Sequence, residues 1–171
     1  MAADRFFDAR VPLLLHNADD PGAFRTFYRQ QAAAVMPRLA RADVILDVGC
    51  GPRLLYGRYH GQNVIGLDPS LEALRQNEDV TTRLHGSATR LFLPSASVDA
   101  VVCFYSLHHI VGRTVLDTLA RVEASLREFR RVLTPGGSLL VVEVSPWWPV
   151  TVLQGVLWAV RPWPMFFWHR R

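Results

Sequence analysis

Lysine is absent from this 171-residue chain, so its formal net charge of +4 is carried by arginine alone. The arginines are scattered from position 5 to position 171, with adjacent pairs only at Arg130 with Arg131 and Arg170 with Arg171. A nucleic-acid footprint would cluster them among aromatics. No nucleic-acid partner is therefore expected, and they read as a solvated surface. Cysteine is equally sparse. Cys50 and Cys103 make no disulfide framework and read as two free thiols in a reducing compartment. No metal site is expected. No signal peptide is expected either: "MAADRFFDAR" carries acids where a basic end belongs, and "VPLLL" is too short for its apolar segment. The expected location is cytoplasmic. Internal repeats and low-complexity tracts are lacking, and only 20% of residues are charged, which excludes a disordered tail.

Half of the residues are hydrophobic, enough for one compact domain with a core. "AFRTFYRQQAAAVMPRLARA" reads as one or two helices, with Pro37 opening the second. "DVILDV" reads as a short buried strand, and "NVIGLD" repeats the pattern with a second terminal acid. Ser70 is placed to cap a helix over "LEALRQNE". A weak strand is expected within "VTTRLHG", and "SVDAVVCFYS" is a valine-rich strand. From Thr114, Val115, Leu116, Leu119, Val122, Leu126, Phe129 and Leu133 recur every three or four residues, which predicts a helix with a broad apolar face. "TPGG" then turns the chain into the strand "SLLVVEVS". Alternation of this kind predicts an α/β fold: a Rossmann-like open, mainly parallel sheet with helices on both faces. Ligands of such sheets bind outside the carboxyl ends of the strands.

"VILDVGCGPR" falls at one of those ends. Gly49 and Gly51 allow a tight turn and leave backbone bare for a ligand, and Pro52 suits the first turn of a helix. Asp47 would meet a ligand's positive or donor groups. Asp68, about 20 residues on, could accept both hydroxyls of a ribose. A nicotinamide-binding fingerprint needs G-x-G-x-x-G, whereas this frame is G-C-G-P-R-L.

Four ordered stretches, "VILDVGCGP", "VIGLDPS", "LFLPSASVDAVVCFYSLHHI" and "LREFRRVLTPGGSLLVVEVS", resemble the successive motifs of class I S-adenosylmethionine-dependent methyltransferases. The similarity is to the small-molecule type that includes the quinone-biosynthesis C-methylating enzymes. It implies S-adenosylmethionine as cofactor and a small-molecule acceptor. Asp47, Gly49, Cys50 and Gly51 would hold the methionine part, Asp68 the ribose, and Pro69 would lie beside the adenine. Ser87 and Ala88 match the adenine-edge position, and Phe104 and Tyr105 begin the segment passing the sulfonium and acceptor. Arg53 stands where the family usually has a third glycine, and Ser87 where it often has an acid. Residues 51–61 are short for the family's first helix, and the fold expected from the resemblance lacks the family's last two strands.

His108 and His109, just past the third strong strand, are the candidates for a general base, of which one at most faces inward. The division expected is a helical segment over 1–43, a cofactor-binding core over 44–145 and a tail over 146–171. All five tryptophans lie in that tail, and 147–171 contains no acid. The uncharged stretch 145–160 falls short of the ~20 residues of a spanning helix and is followed by Pro162 and Pro164. Two readings stand for 147–171: packing on the domain, or contact with a partner or the periphery of a membrane. Two function classes stand as well: a methyltransferase, or a degenerate methyltransferase-like domain serving as a docking module.

Overall fold

The computed structural model describes Asp8, Val11 and residues 23–143; the tail expected over 146–171 lies outside the described residues. The described chain runs α1 (Ala23–Leu39), β1 (Val44–Val48), β2 (Asn63–Asp68), α2 (Leu71–Gln76), β3 (Thr82–His85), β4 (Val98–Phe104), a 3-10 turn (Leu107–His109), α3 (Val115–Val132) and β5 (Leu133–Val142). The five strands form one sheet in the order β3-β2-β1-β4-β5, and every pair is parallel. β1 lies at the centre, with Asp47 paired to Gly66 on one side and to Val102 on the other. Strand order reverses at β1, so its carboxyl end is the place where such a sheet opens a crevice.

Continuous apolar runs in β1 and β4 follow from cover on both faces. Ile45, Val64, Ala100, Val102 and Phe104 pack with Val35 and Leu39 of α1 and Leu74 of α2. Leu46, Val48, Leu67, Val101 and Cys103 pack with Phe129 and Val132 of α3. Helices therefore cover both faces, as the alternation predicts.

Four local expectations need adjustment. α1 is a single helix with Pro37 inside its last turn, where the missing N–H removes one bond of the ladder. No helix follows Pro52, and residues 49–62 run as turns and bends. Side chains take the amides a helix would have used: Gly51 N–H donates to Asp68, Leu54 N–H to Asp79 and Tyr59 N–H to the Gln62 side-chain oxygen. "TPGG" is a bulged turn inside β5, with Gly136 at φ +84 and a register shift against β4 between Val98 and Ala100. The apolar face of α3 is buried only in its later turns. Phe129 and Val132 are enclosed, while Leu116 is 78% exposed and Val115 and Leu119 are also open. Ser70 caps α2 as expected, its hydroxyl accepting from Ala73 N–H, and the helix stops at Gln76.

Candidate functional site

The carboxyl ends of β1, β2 and β4 bring the expected cofactor residues together. Leaving β1, the chain folds back over β2, with Gly49 and Cys50 both donating to the Leu67 carbonyl at 2.7 and 3.2 Å. Both glycines have positive φ, +73 at Gly49 and +59 at Gly51, a region that side chains rarely adopt. Their surroundings differ. A Cβ on Gly49 would lie 2.4 Å from the Ser106 Cβ, whereas one on Gly51 would meet nothing within 4 Å. Gly49 is thus required by the end of β4, where the Ser106 hydroxyl donates to the Val48 carbonyl. Gly51 instead borders open space among the described residues.

Asp68 joins this loop directly. Its Oδ2 accepts from Gly51 N–H at 2.9 Å and its Oδ1 from Ser70 N–H at 2.8 Å. Burial raises its carboxyl above the usual range, and those two amides pull the other way. Asn77, fully buried at the end of α2, fastens the loop from behind by donating to the Gly51 carbonyl at 2.8 Å. The turn after β1 and the acid closing β2 therefore meet directly at the carboxyl ends of the strands.

Asp47 lies beneath the loop and is only 2% exposed. Among the described residues its Oδ1 meets no hydrogen-bond partner, and neither does the Tyr56 hydroxyl. Burial pushes the Asp47 carboxyl up to about 7, eased by the nearby Tyr56 hydroxyl and aggravated by the charge on Asp68. The hydroxyl is close enough to act on that charge without reaching hydrogen-bond geometry. Two buried polar atoms without partners, one of them acidic, mark a place suited to a donor or cation.

Cys50 contributes backbone only. Burial and the neighbouring Asp47 and Asp68 push its thiol far above the ordinary value, and its sulfur fills the space beside Gly66. A thiol that resists ionisation is no nucleophile. Cys103, on β4, is likewise pushed up to about 12 by burial. Beyond Asp68, the Pro69 carbonyl hydrogen-bonds the His85 ring at 3.0 Å. Ser87 and Ala88 follow β3, next to Gly86, whose N–H donates to the Asp68 carbonyl. The Ser87 hydroxyl pairs with that of Thr89.

Phe104 and Tyr105 close the β4 side. Phe104 is buried with its ring 6.0 Å from that of Tyr56. Tyr105 has φ +56, strained for a side-chain-bearing residue. Its ring stands edge-on to Tyr28 and its hydroxyl donates to the Gln31 side chain, tying α1 to this end of the sheet. His108 and His109 occupy the 3-10 turn with their rings 4.0 Å apart. His108 Nδ1 lies 2.6 Å from Glu143, at the end of β5.

Four residues of this neighbourhood escape the sequence reading: Tyr56, Gly66, Asn77 and Glu143. Gly66 interrupts an otherwise apolar strand, a pattern that signals close backbone approach. Glu143 ends its strand in an acid just as Asp47 and Asp68 do. Tyr56 and Asn77 give no comparable signal.

Residues 46–141 match the family model described as a methyltransferase domain. The chain is 32% identical over 118 residues to the ubiquinone/menaquinone biosynthesis C-methyltransferase UbiE of Syntrophotalea carbinolica, covering 63% of this chain and 46% of that one. It is 26% identical over 129 residues to protein arginine N-methyltransferase 1 of Schizosaccharomyces pombe, covering 69% and 38%. The chain thus spans about half the length, or less, of these relatives. The crystal structure of PH0226 protein from Pyrococcus horikoshii superposes with a TM-score of 0.60 at 18% identity, covering 84% of this chain and 64% of that one, a likeness of fold. The match spans more than half of the chain and places its motifs in the family's order: this chain belongs to the class I S-adenosylmethionine-dependent methyltransferase family.

Proposed function

We propose that this domain transfers a methyl group from S-adenosylmethionine to a small-molecule acceptor. The observation that carries the reading is the junction of the Gly51 loop with Asp68, with the unpartnered Asp47 oxygen beneath it. The donor set fits the cofactor. Asp47 would pair with the ammonium of the methionine part, and the open face of Gly51 would receive that part's backbone. Asp68 retains lone pairs for the ribose hydroxyls after accepting its two amide donors. Pro69, Ser87 and Ala88 would border the adenine, and Phe104 and Tyr105 the methyl-bearing end. Bound there, the cofactor supplies an electrophilic methyl carbon. The protein's own task is then to align the acceptor and exclude water, which can supply ~7–11 kcal/mol of the barrier. Likeness to a quinone-biosynthesis C-methyltransferase supports a lipophilic ring as acceptor.

The docking-module reading draws on the open positions Val115, Leu116 and Leu119 of α3, an apolar surface suited to a partner. Among the described residues, no helix is long and apolar enough to cross a membrane. In this proposal 44–145 forms the cofactor core, and 147–171 remains the segment for partner or membrane-surface contact.

Calorimetry with S-adenosylhomocysteine separates the two readings. The enzyme reading expects saturable binding that weakens at least tenfold, or ~1.4 kcal/mol, in Asp68→Ala. A folded sample giving no heat at millimolar ligand removes it. Binding unchanged by Asp68→Ala removes the ribose assignment alone.

A further inference from the structure

Glu143 does more than end β5. Phe104 pairs with Val142, which sets Glu143 one residue past the carboxyl end of the sheet. There its Oε1 accepts from Leu107 N–H at 2.6 Å and from His108 N–H at 3.3 Å. Two backbone donors hold the carboxylate, and its Oε2 meets His108 Nδ1 at 2.6 Å. The ring is half exposed, at 50%, while the carboxylate beneath it is 23% exposed. The arrangement joins the rest of the site through Ser106, which lodges against Gly49 just before the 3-10 turn begins.

An ionised carboxylate only accepts hydrogen bonds. Its partner nitrogen must therefore carry the proton, and in a neutral imidazole the lone pair then sits on Nε2. We propose that Glu143 is a positioning residue that fixes His108 with Nδ1 protonated and Nε2 bare, so that the site methylates acceptors that lose a proton in the transfer. The proposal rests on the methyltransferase reading above and narrows its acceptor class. A hydroxyl or an acidic C–H requires such a base; a thioether or a tertiary amine does not. As the acceptor atom bonds to the methyl carbon, sulfur keeps the electron pair of its broken bond to that carbon. The acceptor's proton passes to Nε2, and the imidazolium formed lies against the Glu143 carboxylate until the proton leaves to water. The ring of neighbouring His109 lies 4.0 Å away, tilted by 44°.

Long-range proton–nitrogen correlation spectra of uniformly 15N-labelled protein test this, with the His108 signals assigned by their loss in His108→Asn. In its neutral form, His108 is expected to show the Nδ1-protonated pattern. In Glu143→Gln that pattern should be lost, because an amide turned with its NH2 toward Nδ1 forces the proton to Nε2. An Nε2-protonated His108 in the parent protein overturns the proposal without any variant. So does a Glu143→Gln protein, folded by its amide spectrum, that keeps the Nδ1-protonated form. Calorimetry with S-adenosylhomocysteine keeps the two readings apart. Binding together with an Nε2-protonated ring defeats only the proposal about Glu143. The Nδ1-protonated ring without binding defeats the methyltransferase reading, and the base role with it.

Discussion

Replacing Asp47 with asparagine is expected to flatten the pH dependence of stability and to weaken cofactor binding at least tenfold. The carboxyl stands at about 7 in the folded chain against an ordinary 3.8. Between those values the folded state keeps a proton that the unfolded state releases, so stability falls as pH rises through the window. Below it the contribution is complete; above it the domain carries a buried, unpaired charge. A displacement of that size corresponds to about 4 kcal/mol at most. Asparagine keeps the shape and removes the titration, although its amide must still be satisfied at ~1–3 kcal/mol. Urea unfolding at pH 5 and pH 8 measures the difference directly. The parent should lose about 2–3 kcal/mol across that interval relative to Asp47→Asn. Parallel pH profiles would mean that Asp47 titrates as an ordinary surface acid.

Gly49→Ala carries the second large effect. The backbone at φ +73 alone costs a side chain about 1–2 kcal/mol. Overlap with the Ser106 Cβ, 2.4 Å from the new methyl, adds roughly 1–3 kcal/mol more. Ser106→Gly in the same chain should relieve the overlap but not the backbone cost, so a double-mutant cycle should show coupling of about 1–2 kcal/mol. Additive effects would place Ser106 away from the glycine. Gly51→Ala makes the contrast: with nothing within 4 Å, its stability cost is the backbone part alone, about 1–2 kcal/mol. Its new methyl would stand in ligand space and weaken S-adenosylhomocysteine binding.

These two glycines show where sequence reading works and where it stops. The strands, their parallel order, the Ser70 cap and the acids at the ends of β1 and β2 follow from local pattern, since burial on two faces and turn chemistry leave their mark on neighbouring residues. Gly49 is legible as a turn residue, but the contact that demands it comes from Ser106, just past the end of β4. The same distance hides Glu143, whose carboxylate takes meaning only beside His108, and Asn77, which reaches back to the Gly51 carbonyl. The missing helix after Pro52 has a related cause. Pro52 fits a first helical turn, but side chains of Asp68, Asp79 and Gln62 claim the backbone amides there. Apolar spacing in α3 correctly gives a helix, yet periodicity alone does not say which of its turns the sheet will cover.

The central claim is that one nucleoside-bearing molecule is held at both the Gly51 loop and Asp68. Amide spectra of the 15N-labelled protein, titrated separately with adenosine, homocysteine and S-adenosylhomocysteine, test it most directly. Adenosine should move the amides around Asp68, Ser87 and Ala88, homocysteine those of residues 49–51, and the joined ligand both sets at one concentration. A joined ligand that reaches saturation while leaving either set unmoved would contradict the claim.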